Sequence, residues 1–171
     1  MYTVRNTYPK KLENFVMRQG KAQFSQGGLA HDVLNSVKDC GMVPNEVFSG
    51  LFQNETSHNH SELVGVLKAM GETYISNPAR KLSKKWKPAT EAVLDIYLGK
   101  NVTNFTYEGK SYSPESFRDA MKIVPADYPT ITSFTHEPFY TAFILNIPDN
   151  WSYGSMYNIP INEMIESIDN A

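Results

Sequence analysis

Apolar positions over the first hundred residues recur three and four apart, the spacing that lines up one face of a helix. The spacing predicts a first helix opened by Pro9, with Leu12, Phe15, Val16 and Gln19 along one side and Gly20 as its stop. A second amphipathic helix runs from about Gly28 to Asp39 on a stripe of Leu29, Val33, Leu34 and Val37. Gly41 ends it in the left-handed region, and Met42-Val43-Pro44 leaves in extended form, since the residue before a proline avoids helix. Residues 52–60 are polar and read as a loop. Ser61 or Asn59 then caps a third helix carrying Leu63, Val66, Leu67, Met70 and Tyr74 on one face, which Asn77-Pro78 interrupts. Pro88 opens a fourth helix through Val93, Leu94 and Tyr97 to Gly99.

Past Gly99 the period shortens to two. Phe105, Tyr107 and Tyr112 around Glu108-Gly109-Lys110 read as a small hairpin, and Ser113-Pro114-Glu115 starts a helix that reaches about Ile123. The β-branched and aromatic stretch from Ile131 to Ile147, broken by Pro138 and Pro148, suggests two strands. A helix from Pro160 to Asp169 closes the chain with Ile161, Met164, Ile165 and Ile168 on one side. No internal repeat and no low-complexity segment interrupts this order. Helices first and a mixed remainder afterwards imply an α+β fold.

Composition narrows the classes. With 171 residues, 41% hydrophobic and 20% charged, the chain is ordinary for a globular protein and long enough to bury a sizeable core without disulfides. Sixteen basic against 18 acidic residues give a net charge of −2, so no basic field favours nucleic acid or an anionic membrane. No apolar run approaches the roughly 20 residues of a membrane span, and the opening MYTVRNTYPKK lacks the apolar stretch of a signal peptide. The single cysteine leaves the redox compartment open.

Four features carry candidate chemistry. Cys40 is the one thiol, but it sits in the last turn of its helix, where the dipole is negative and disfavours thiolate. His31, nine residues earlier, falls on another face of that helix, so a buried, inert thiol is the expectation. His58 and His60 put two imidazoles in the polar loop, with His31-Asp32 as further candidate ligands. No CxxC or HExxH spacing supports a metal, and a solvated loop is expected. Arg80-Lys81-Leu82-Ser83-Lys84-Lys85-Trp86-Lys87 reads as a solvated or interfacial surface rather than a nucleic-acid site. Five N-x-S/T sequons, at Asn54, Asn59, Asn101, Asn104 and Asn150, carry weight only in a secreted eukaryotic protein. Gln26-Gly27-Gly28 has two readings: a loop that merely needs positive φ, or a stretch bare of side chains where an extended peptide can reach backbone.

Ser25-Gln26-Gly27-Gly28-Leu29-Ala30-His31-Asp32-Val33-Leu34, then Asp39-Cys40-Gly41-Met42-Val43-Pro44 and Phe48-Ser49-Gly50, resembles the middle of papain-like cysteine peptidases. In that superfamily a Gly-Gly pair opens a helix that exits through a hydrophobic-hydrophobic-Pro step. Met1-Tyr2-Thr3-Val4-Arg5 and Tyr157-Asn158-Ile159-Pro160-Ile161 narrow the likeness to the bleomycin hydrolase (aminopeptidase C) family, of the Bacteroides type. The resemblance spans the chain and is strongest over 1–51 and 139–171. It departs from the family in one respect. The family's nucleophile and oxyanion glutamine belong upstream of Met1, and its catalytic histidine and orienting asparagine downstream of Ala171.

The resemblance therefore implies an internal segment of a cysteine aminopeptidase, which cleaves residues from peptide N-termini through a thioester acyl-enzyme. It implies a partial papain-like fold in three parts. These are the helical subdomain over 1–51, a helical insertion with the hairpin over 52–130, and the start of the β-rich subdomain with the closing helix over 131–171. It assigns substrate binding to four residues. Gly28 pairs its backbone with the peptide, Gly27 shapes the turn, and Leu29 and Ala30 flank an apolar pocket. No catalytic residue, metal ligand or cofactor is expected in this chain, which should be inactive alone. The expected partners are a peptide substrate and, through the insertion, copies of the same chain, with no nucleic acid or membrane. The parent would be soluble, cytoplasmic or periplasmic. Two alternatives stay open: a non-catalytic peptide- or protein-binding module with a papain-like half-cleft, and a distinct small α+β enzyme using Cys40 and a histidine.

Overall fold

The structure, a computed structural model, describes residues 1–52 and 55–170. Residues 53 and 54 of the predicted polar loop, with the Asn54 sequon, and Ala171 of the closing part lie outside them. Helices α1 (Tyr2–Met17), α2 (Ala30–Cys40), α3 (Ser61–Ile75) and α4 (Trp86–Leu98) come first. A hairpin of β1 (Phe105–Tyr107) and β2 (Lys110–Tyr112) and helix α5 (Pro114–Ala120) follow. A single 3₁₀ turn, Pro125–Asp127, leads to strands β3 (Ile131–Thr132), β4 (Thr141–Ile144) and β5 (Ser155–Asn158) and to helix α6 (Ile161–Asp169). The fold is α+β, mainly helical over its first two-thirds and richer in strand afterwards, as the hydrophobic pattern predicts.

Two predicted helix ends move, and one strand was not predicted. Helix α1 begins at Tyr2, not Pro9, and the proline stands inside it. An interior proline costs about 3 kcal/mol, which is offset here because the turns before it bury Tyr2, Arg5, Asn6 and Tyr8. Helix α5 stops at Ala120 rather than near Ile123, where Lys122 turns left-handed at φ 57°. The third strand, β5, is absent from the sequence reading, yet it lies at the centre of the sheet. Order is β3-β5-β4, with Ile131 opposite Tyr157 in the parallel pair and Phe143 opposite Met156 in the antiparallel one.

One core joins α1, α3 and α4. Leu12, Leu63, Leu67 and Leu94 are at most 1% exposed, with Phe15, Phe24, Phe48, Trp86 and Leu98 around them. Helices on both sides of position 51 thus share this core. Arg5 crosses it: its guanidinium donates to the Gly99 carbonyl at 2.9 Å and to Asp95, and lies 3.0 Å from Glu91. Gly41 is irreplaceable on two grounds. Its φ is +74°, and a Cβ there would sit 2.2 Å from the Pro114 carbonyl carbon, where Met42 N–H bonds the Pro114 oxygen at 2.9 Å. This contact seats α5 beside the end of α2.

The sheet unit meets the helices through the loop 149–154. Asn150, 2% exposed, ties that loop to itself through the Leu145 and Gly154 carbonyls. Outward from it, Ser152 Oγ donates to Asp32 Oδ1 at 2.8 Å, and the Trp151 carbonyl accepts from Asn14 at 3.2 Å. The Arg18 guanidinium lies 4.5 Å from the centre of the Tyr153 ring.

Candidate functional site

The residues between α1 and α2 fold back over the middle of α1, and the reason is a lysine on the wrong face. Tyr8, Lys11, Leu12 and Phe15 follow helical spacing, so Lys11 lies on the buried side with its neighbours. It is 3% exposed, and its ammonium donates to the Ser25 carbonyl at 2.8 Å and to the Gly27 carbonyl. Burial lowers its pKa, and the nearby Asp149 and Asp32 carboxylates pull the other way. Two backbone carbonyls and two acidic neighbours therefore keep a buried cation in place.

Asp32 orders the next step. Its Oδ2 accepts the Leu29 N–H at 2.9 Å, which caps the first turn of α2, while Oδ1 takes Ser152. Gly27 and Gly28 precede this cap. Neither has a positive φ, which corrects the reading of the pair as a left-handed turn. What their bareness allows is close approach. A Cβ on Gly27 would fall 2.4 Å from Asp149 Oδ1, so the β4–β5 loop fills that side. A Cβ on Gly28 would meet only Asp32 Oδ2, at 3.1 Å. Gly28 is exposed, and among the described residues neither its N–H nor its C=O has a hydrogen-bond partner.

Beside it opens a cavity of about 460 Å³, and Gly27, Gly28, Leu29 and Ala30 all line it. Its other wall is Val4, Lys11 and the pair Tyr8 and His60. The Tyr8 hydroxyl lies 3.1 Å from His60 Nδ1. Burial pushes Tyr8 up to about 12 and lowers His60, with His58 adding to the second effect. At neutral pH the pair is uncharged, a polar floor under an apolar rim.

The remaining candidates stand elsewhere. Cys40 is half-buried at the end of α2, and burial raises its thiol pKa, with Lys10 opposing and Asp39 reinforcing. His31 is buried, its ring packed so closely on Gly154 that a Cβ there would lie 2.3 Å away. It lines a second cavity of about 550 Å³ between α2 and residues 123–130, not the groove at Gly28. His60, expected in a solvated loop, is instead half-buried against Tyr8, and His58 contacts the Ser49 carbonyl at 2.8 Å. Among the described residues no group of three or more His, Cys, Asp or Glu could hold a metal ion. None of the described helices is long and apolar enough to cross a membrane. In the basic stretch Trp86 is buried in the core and Lys87 pairs with Glu13 at 2.6 Å, leaving Arg80, Lys81, Lys84 and Lys85 exposed. Lys11, Asp32 and Asp149 were not legible as parts of the site. The one signal in the sequence is the lysine interrupting an apolar stripe.

No family model and no curated protein matches the chain. Solved structures do, among them the crystal structure of PepW from Lactobacillus rhamnosis HN001, with a TM-score of 0.68 at 17% identity. The chain shares a fold with PepW. The match covers 96% of this chain and 46% of PepW, so the chain spans just under half of the length of the protein it resembles. It takes in the helices and the sheet unit alike.

Proposed function

We propose that this chain forms the non-catalytic wall of the peptide cleft in a papain-like cysteine aminopeptidase of the bleomycin hydrolase (aminopeptidase C) type. The exposed Gly28, whose N–H and C=O have no partner among the described residues and which lines a cavity, carries this reading. An extended peptide laid along Gly28 gains two backbone hydrogen bonds in antiparallel register, and Leu29 and Ala30 flank the cavity that takes its side chain. The fold shared with PepW supports the reading. Acyl transfer also needs thiolate, imidazole and oxyanion donors together. Cys40, with its raised pKa at a helix C-terminus, is not the nucleophile, and that role falls to the part of a PepW-like protein outside this chain.

Two measurements test the reading. The chain alone should not hydrolyse fluorogenic aminoacyl substrates; alkylation-sensitive turnover that disappears in Cys40→Ser would overturn the reading. In the full-length parent, Gly28→Val places a branched side chain where the peptide backbone must lie. KM should rise about tenfold or more, as expected when two hydrogen bonds are lost. Unchanged KM and kcat would remove Gly28 from the site.

A further inference from the structure

Resting on the peptide-edge reading above, we infer that Lys11 is the positioning residue of the Gly28 edge, its buried ammonium fixing which way that edge faces. The Gly27 carbonyl points to Lys11 Nζ, beneath the loop. No peptide bond among the described residues is cis, and across a trans peptide the carbonyl and the following N–H point in opposite directions. The Gly28 N–H is thereby turned away from Lys11, on the side where it has no partner among the described residues. The second acceptor, the Ser25 carbonyl, anchors the loop two residues earlier, so the ammonium sets the direction of the segment and not one bond alone. From the opposite side Asp149 closes on the Gly27 Cα and accepts from Gln23 at 3.3 Å. A glycine pair would otherwise be the most freely rotating stretch of the chain. Here a cation from α1 and a carboxylate from the β4–β5 loop hold it, and Lys11 also lines the groove.

The positioning role is distinct from mere support, because it predicts that the Gly27–Gly28 peptide senses the charge on Lys11. In isotope-labelled chain, raising the pH through the Lys11 titration should move the Gly27 carbonyl carbon and the Gly28 amide in step with the Lys11 side chain. The midpoint should lie below the ordinary lysine range, as burial dictates. Lys11→Met keeps the length and apolar stem but deletes the donor. With the Leu12 and Leu67 methyl signals unchanged as proof of folding, it should displace the Gly28 amide signal and weaken binding of acetyl-Leu-Leu-amide about tenfold. Gly27 and Gly28 signals that ignore the Lys11 titration would overturn the proposal, and this needs no variant. So would a folded Lys11→Met that binds the dipeptide as the unmodified chain does. If the unmodified chain itself fails to bind acetyl-Leu-Leu-amide and Gly28 stays unmoved, the peptide-edge reading fails, and the role of Lys11 falls with it.

Discussion

Helices α1, α3 and α4 bring Leu12, Leu67 and Leu94 to 0% exposure, whereas α6 buries no residue and leaves Ile161, Ile165 and Ile168 each more than half exposed. In the sequence the two stripes look alike. Among the described residues from 131 onward, only Met156 and Ile159 join the buried apolar set. A hydrophobic stripe thus tells where a helix is and which way it faces, but not whether anything covers it. The helical part closes its own core. The sheet unit is held to it mainly by polar contacts at Asp32, Asn14 and Arg18. Such hydrogen bonds contribute about 1 kcal/mol each, several times less than a buried leucine. The sheet unit should therefore open locally at lower free energy than the helices.

The largest effect should come from the helical core. Leu67→Ala removes a side chain with no exposure and should cost about 2–5 kcal/mol in urea unfolding. A loss below about 1 kcal/mol would mean that the core collapses around the gap, and the contrast with α6 would be gone.

Next comes a pH response from the helical side of the groove. Tyr8 is raised from 10.0 to about 12, so the folded state keeps its proton where the unfolded state loses it. Its stabilisation is complete below pH 10 and is lost as the pH rises through about 12, amounting to roughly 2–3 kcal/mol. His60 acts at the other end. Its folded pKa lies below 6.5, so its contribution is present above that pH and lost on acidification through the folded value. Tyr8→Phe should flatten the alkaline limb in a pH series of urea midpoints; an undiminished limb would place its cause elsewhere.

How much of this was legible follows from what each residue announces locally. The stripes of α2, α3 and α4, the left-handed Gly41, and the turn at Glu108-Gly109, whose φ values are 48° and 75°, all act through near neighbours. The pair Gly27-Gly28 stands out locally too, and Gly27, Gly28, Leu29 and Ala30 line one cavity, whose peptide-binding role is the proposal made above. What stayed hidden depends on distant partners. Strand β5 reads Ser-Met-Tyr-Asn, four residues in which the buried positions are Met156 and Asn158, and a buried asparagine breaks the apolar alternation that marks a strand. Pro9 reads as a helix start because the burial that overrides it comes from distant partners, Phe48 against Tyr2 and Asp95 and Gly99 against Arg5. Asp149 lies 122 positions from Gly27 and nothing near it in sequence points there.

Asn158 offers a sharper cut between the regions, at smaller cost. It is 0% exposed, its Nδ2 reaches the carbonyls of Phe134, Glu137 and Pro138, and its Oδ1 accepts the Phe134 N–H at 2.8 Å. Asn158→Ala strands those backbone groups and should cost roughly 1–3 kcal/mol. Hydrogen exchange should show faster opening at 131–158 with α1, α3 and α4 still protected. Equal loss in the helices would make the chain one cooperative unit, against the division drawn from burial.

The smallest effect belongs to Ile165→Ser, and its smallness is what matters. Ile165 is 52% exposed on a helix that is tied back to the chain by Glu163 accepting from the Tyr140 hydroxyl at 2.5 Å. Serine there should change stability by less than about 0.5 kcal/mol, because little apolar surface leaves or enters water on folding. The same substitution interrupts the row formed by Ile161, Ile165 and Ile168, so it should raise the concentration at which the chain begins to self-associate, read by light scattering. A stability loss above about 1 kcal/mol would show that α6 packs in solution against something that the burial pattern leaves out. In that case the difference between the two regions would be one of partner, and not of packing.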